Sequence, residues 1–134
     1  MLLLAGSMLL MVLAVFGCAL DLGRIFLAQA ELRSRIEAAA LSAAVEMDGT
    51  QAGLEKARLA AGSVEVQFGT APDGRFEPAP LQAGGYQYAR VKAASDVPLT
   101  LVRVVVPESA RTITVEATAR HMPADAPVIA ELLK

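Results

Sequence analysis

The sequence predicts an α+β chain: a long N-terminal helix that begins as a membrane span, a short second helix and a small antiparallel sheet. Three observations carry this. Met1 to Leu20 holds no charged residue. From Leu32 to Met47, apolar residues recur at steps of three and four, the period of one helix face. Beyond Ser63 the pattern changes to strict alternation, as a half-buried strand requires.

The first stretch reads MLLLAGSMLLMVLAVFGCAL. Twenty residues in a helix span about 30 Å, the thickness of a bilayer's hydrocarbon core. In lipid every backbone N–H and C=O must be satisfied within the segment, so this stretch is helical. The remaining chain is too small to surround a helix that is apolar on every side, which argues against a buried core helix. Val15-Phe16-Gly17-Cys18 faintly resembles a lipoprotein cleavage box with Cys18 as the acylated residue, but Phe16 fits that box poorly.

The helix is expected to continue past the membrane. No proline occurs from Asp21 to Met47, and only Gly23 is a weak helix former. Leu32, Ile36, Ala39 or Ala40, Ala43 and Met47 share a face, whereas Arg33, Ser34, Glu37 and Glu46 lie off it. Asp21 and Arg24 are three apart and can pair where the helix leaves the lipid. Asp48-Gly49 ends the helix, Gly being a natural C-terminal cap. Thr50 caps a second helix to about Ala61, with Leu54, Ala57 and Ala61 on one face and Gly62 as terminator.

Val64 to Phe68 reads as a strand, and residues 69–85 as loop, with a turn at Ala71-Pro72-Asp73-Gly74 where Gly accepts positive φ. Tyr86 to Ala94 is the second strand. Gln87, Ala89, Val91 and Ala93 form its small apolar face; Tyr86, Tyr88, Arg90 and Lys92 form the face toward water or a partner. Asp96-Val97-Pro98 breaks the chain. Leu99 to Val106 suits a strand by β-branching and a helix by its Leu99/Val102/Val106 stripe, and Pro98 favours a short helix. Arg111 to Arg120 is the clearest strand: Ile113, Val115, Ala117 and Ala119 face one way and Thr112, Thr114, Glu116 and Thr118 the other. An antiparallel sheet with one covered face has this pattern, and the Ala-rich stripe of the long helix is the cover. The tail, His121 to Lys134, reads as a tether that ends in a docking helix or as disordered chain, with His121 solvated.

The chain has 134 residues and a net charge of −2, so no basic field points to nucleic acid. A single Cys and a single His leave no intrachain disulfide and almost no route to a metal site. There is no phosphate loop and no nucleophile elbow. No enzyme, cofactor or small-molecule substrate is expected. What remains is interaction chemistry. Ala14 and Cys18, and Ala19 and Gly23, are small residues four apart, the spacing at which helices approach closely in lipid. Tyr86, Tyr88 and Arg90 offer a second surface, since Tyr and Arg favour interfaces.

Residues 19–28, ALDLGRIFLA, followed by Glu31-Leu32 and the Ala38-Ala39-Ala40-Leu41-Ser42-Ala43-Ala44 run, resemble the TadE/TadG-like family of Flp (tight-adherence, Tad) pilus proteins. The family shows an apolar helix, a D-x-G-R segment and an alanine-rich run. Val64 to Gly69 with Phe76, Tyr88 to Ala93, and Thr112 to Arg120 resemble its later strands, so the likeness spans about residues 1 to 122. It implies a pilin-like fold and a minor pilin or assembly subunit of a type IV pilus system, with roles in adhesion or secretion. The implied partners are other pilin-like subunits, the pilus assembly platform and the lipid bilayer. The implied location is the bacterial inner membrane, single-pass with a periplasmic head, or the extracellular pilus. The family's basic leader is missing before the helix, as in a chain that starts late or has been processed, and Ala5 stands where type IV pilins carry glutamate; these two departures leave prepilin-type processing and standard filament packing open. The predicted organisation is an anchor over 1–20, a helix entering the head over 21–48, an α/β head over 49–122 and a tail over 123–134. The competing expectation is a membrane- or lipid-anchored periplasmic binding module outside any filament.

Overall fold

The computed structural model describes residues 1–82, 84–100, 110–122 and 132–133. The chain is α+β, as its periodicities predict. Helix α1 (Leu2–Glu46) runs without a break for 45 residues, about 67 Å at 1.5 Å per residue. Helix α2 (Gln51–Ala61) follows, then strands β1 (Glu65–Gly69), β2 (Phe76–Glu77), β3 (Tyr88–Pro98), β4 (Ala110–Arg120) and β5 (Leu132–Leu133). The strands form one sheet in the order β2-β1-β3-β4-β5. Two compact units result, one of residues 1–31 with 94–113, the other of residues 32–93 with 114–134.

The core of the second unit is where the helical and alternating patterns meet. Ile36, Ala40, Ala43, Ala44 and Met47 of α1 are buried with Leu54, Ala57 and Ala61 of α2 and with Val66, Phe68, Ala89, Val91, Ala117 and Ala119 of the sheet. Most of these side chains are a methyl group or slightly more, so helix and sheet lie close, and Phe68, Ile36, Met47 and Leu54 supply the bulk. Val64, Ala93 and Val115 pack at the margin of this core.

The joint between the helices follows from two polar residues, Asp48 and Thr50. Thr50 is the N-cap of α2, and its hydroxyl accepts from the Gly53 N–H at 3.1 Å. The Asp48 carboxylate in turn accepts from the Thr50 backbone N–H at 2.9 Å and its hydroxyl at 2.5 Å. These bonds favour the ionised form and hold the Asp48 carboxyl below its ordinary 3.8. Gly49 and Gly62 adopt φ near +79° and +78°, which accounts for glycine after each helix.

The register of the sheet is antiparallel throughout. Val66 opposes Val91 and Phe68 opposes Ala89. Between β3 and β4, Arg90 donates to Thr118, Lys92 pairs with Glu116, and Asp96 accepts from Thr112. One number falls as the other rises, which only an antiparallel pair produces.

Several expectations need correction. The 69–85 stretch is not all loop, because Phe76 and Glu77 pair with Gly69 and Phe68 as β2. The 71–74 turn closes through the Gly74 N–H and the Ala71 carbonyl at 3.2 Å, but Gly74 does not use positive φ; Gly85 does. Asp96-Val97-Pro98 does not break the chain. β3 continues through it, with Val97 buried and Asp96 bonded across to Thr112; a proline is tolerated at a strand end, where no further ladder N–H is required. Leu132–Leu133 pair with Thr118 and Ala119 as a strand, not as part of a docking helix. The helix expected over Leu99 to Val106 lies outside the described residues beyond Thr100.

Gly53 sits in the first turn of α2, where propensity alone favours alanine by up to about 1 kcal/mol. A Cβ there would stand 2.7 Å from the Asp48 carboxyl carbon and 2.9 Å from its backbone nitrogen. Gly53→Ala is therefore expected to destabilise the head by about 1–2 kcal/mol, as overpacking does, measured by denaturant unfolding. The Asp48 bonds also give a pH dependence. Their stabilisation is complete above 3.8 and is lost as pH falls through the lower folded-state value. Exchange of the Thr50 and Gly53 amides should accelerate in that acid range, and Asp48→Asn should flatten the profile.

Candidate functional site

Two surfaces carry the chemistry, one in each unit. The first is α1 up to Glu31 with Thr100. The N-terminal part of α1 turns leucine, methionine, valine and phenylalanine outward on every side. Its most apolar window has mean hydropathy 2.5, and the helix is long and apolar enough to cross a membrane. Within it, Gly17 and Asp21 are buried and Ile25 and Ala28 half-buried. At 100° per residue these four share one side of the helix.

Asp21 is 2% exposed. Its carboxylate faces the Thr100 backbone N–H and hydroxyl, each at 3.4 Å. The Arg24 guanidinium donates to the same hydroxyl at 2.6 Å. Leu20, Asp21, Arg24 and Thr100 line a groove of about 340 Å³. The aspartate and arginine singled out by their spacing therefore converge on a threonine more than seventy residues away. No local pattern could have pointed to Thr100.

The small residues separate into two groups. Ala14 lies on the same side as Asp21 and Cys18 at its edge, whereas Ala19 and Gly23 lie opposite; all four are exposed. A Cβ built on Gly23 meets nothing within 4 Å.

The second surface is the outer face of the sheet. Gly69 stands between Phe76 and Tyr88 in register. The Phe76 ring lies over it, and the Arg90 guanidinium stacks on that ring at 3.7 Å from its centroid. Arg90 also donates to the Pro72 carbonyl at 3.2 Å and to Thr118 at 3.3 Å. The Arg120 guanidinium lies 5.9 Å from the centre of the Tyr88 ring. Tyr88 and Arg90 thus share this face as alternation predicts. Tyr86 does not: it precedes β3, packs against the core and reaches Glu77 with its hydroxyl at 3.5 Å. Gln87, expected on the apolar face, is exposed, and its backbone N–H donates to the Gly69 carbonyl.

His121 is also displaced from its expected role. It is half-buried, with Nδ1 2.6 Å from the Ala44 carbonyl and its backbone N–H donating to Gln87 at 2.7 Å. A carbonyl only accepts, so Nδ1 carries the proton. The contact falls on a last-turn carbonyl of α1 that also accepts from the Met47 N–H at 3.4 Å. Among the described residues no group of three His, Cys, Asp or Glu is placed to hold a metal.

Residues 1–46 match the model of the putative Flp pilus-assembly TadE/G-like family. The matched span begins and ends with α1. It includes the Asp21/Arg24 segment and the alanine-rich run, and it leaves α2 and the sheet outside. No curated protein and no solved structure matches the chain.

The glycine under Phe76 yields a test of the sheet face. A Cβ at Gly69 would stand 2.7 Å from the Phe76 ring and would lift it from beneath Arg90. Gly69→Ala is expected to cost about 1–2 kcal/mol. The same substitution in a Phe76→Ala background should cost much less, a coupling that a double-mutant cycle reads directly.

Proposed function

We propose that this chain is a single-pass, membrane-anchored, pilin-like subunit, a minor pilin or assembly factor, of a Tad/Flp type IV pilus system. The observation that carries the reading is the coincidence of the pilus-assembly match with one uninterrupted helix, α1. The first part of that helix exposes apolar side chains on all sides, and its last part is the spine of a folded core. Such an element both anchors a subunit and connects the anchor to a head. It works by packing against other helices, not by transforming a ligand. On this reading the head lies in the periplasm, and the partners are other pilin-like subunits, the assembly platform and the bilayer. Ala14, Cys18, Ala19 and Gly23 are the close-approach positions of the helix. Tyr88 and Arg90, with Tyr86 behind them, mark the head surface offered to a neighbour.

The exposed Ala19/Gly23 side gives the test. Gly23→Leu and Ala19→Leu leave the head core untouched but hold a partner helix away. Each is expected to lower pilus yield and co-purification of pilus components roughly tenfold, the effect of about 1.4 kcal/mol at a helix contact. Quantifying sheared surface filaments in cells lacking the native copy reads this. Unchanged piliation and unchanged co-purification would remove the subunit assignment. A diacylglycerol adduct on Cys18 in the intact mass would instead establish a lipid-anchored module.

A further inference from the structure

The membrane reading usually places the water boundary at the first charge, here Asp21. The structure argues for a different boundary. Leu22, Phe26 and Leu27 follow Asp21 and are 53%, 67% and 71% exposed. They are contiguous along α1 with the exposed leucines and methionines that precede them. Of the two charges in this stretch, Asp21 is withdrawn from that surface, and Arg24 is exposed at its edge. Asp21 is turned inward and 2% exposed, facing the Thr100 N–H and hydroxyl. Arg24 donates to the same hydroxyl. The next charged residues, Glu31, Arg33 and Arg35, are exposed.

We infer that the lipid-contacting surface of α1 runs past Asp21 to Leu27, with Asp21 and Arg24 bridged by Thr100 inside the headgroup layer. The occupant of the Leu22/Phe26/Leu27 surface is the bilayer itself. Length supports this choice. Leu2 to Leu27 spans about 38 Å of helix, longer than a hydrocarbon core but close to the roughly 40–45 Å of core plus interfacial layers. Charge supports it as well. An ionised carboxylate facing lipid is expensive unless it is turned inward and bonded, and Asp21 is both. Arg24 has the long apolar stem that lets a cation remain in the interfacial layer. The aspartate and arginine thus have a purpose beyond pairing with each other: they let one turn of polar helix sit at the membrane surface and dock Thr100, two residues beyond β3. This inference rests on the membrane-anchor reading.

The test uses the full chain with Cys18→Ser, reconstituted in phosphatidylcholine/phosphatidylglycerol vesicles. Single cysteines at Val12, Leu27 or Ser34 carry an NBD fluorophore, probed with iodide in water and with spin-labelled lipid in the bilayer. The label at Leu27 is expected to show blue-shifted emission, quenching by shallow spin-labelled lipid and loss of iodide quenching, whereas the label at Ser34 is open to iodide. Thr100→Val should partly restore iodide access at Leu27. A Leu27 label as open to iodide as the Ser34 label, with Val12 still in lipid, overturns the extended boundary and leaves the anchor standing. A Val12 label open to iodide overturns the anchor reading and this inference with it. A Leu27 label shielded from both quenchers overturns lipid as the occupant in favour of a second protein helix. An unchanged Leu27 signal in Thr100→Val overturns the part assigned to Thr100.

Discussion

The structure depends on one packing constraint: the close fit of an alanine-rich helix face on an alanine- and valine-rich sheet. Ala40, Ala43 and Ala44 meet Ala89, Val91, Ala117 and Ala119. Small side chains on both surfaces bring the backbones near, and at that distance no position can grow without displacing its neighbour. The bulk is left to Phe68, Ile36, Met47 and Leu54. A core built this way has little apolar area per residue, so the polar details around it carry unusual weight. The Asp48–Thr50–Gly53 chain of bonds and the His121 contact with Ala44 both close backbone groups at the end of α1 or the start of α2.

That end matters because, on the proposed reading, α1 works in two media. Its first half leaves nearly every large apolar side chain outside, which water would penalise and lipid does not. Its last half hides small apolar side chains on one face, as a soluble amphipathic helix does. No cap or break separates the halves, since extending an existing helix is cheaper than nucleating a second one. In the first unit the covered side of the helix holds Gly17, Asp21, Ile25 and Ala28; in the second it holds Leu32, Ile36 and Ala40.

What could be read from the sequence follows the range of the interactions. α1, α2 and β1 are fixed by periods and caps within a few residues, and Thr50, Gly62 and the Leu54/Ala57/Ala61 face occupy their expected places. β2 was hidden because two residues carry no period, and only their pairing with Phe68 and Gly69 makes them a strand. β3 continued through Asp96-Val97-Pro98 because Thr112 supplies a cross-strand partner, which local break signals cannot anticipate. The same divide runs through the candidate sites. Asp21 and Arg24 were visible as charges at helical spacing, and Tyr88 and Arg90 as the outer face of an alternating strand. The roles of Thr100, Phe76 and His121 were not visible, because each acquires its role from a residue distant in sequence.

The family match has the same shape as this physics. It covers the helix and ends with it. On the proposed reading, α1 is the element with least freedom: it must fit a bilayer, present a close-approach side at Ala19 and Gly23, and fit the sheet with Ala40, Ala43 and Ala44. Together these demands leave few positions free to drift. The sheet's outer face has no such triple duty. Phe76, Tyr88, Arg90 and Arg120 hold one another in place, and many other residue sets could do so on the same backbone. A head built on such a face can diverge while the helix beneath it stays within the limits that membrane and core jointly set.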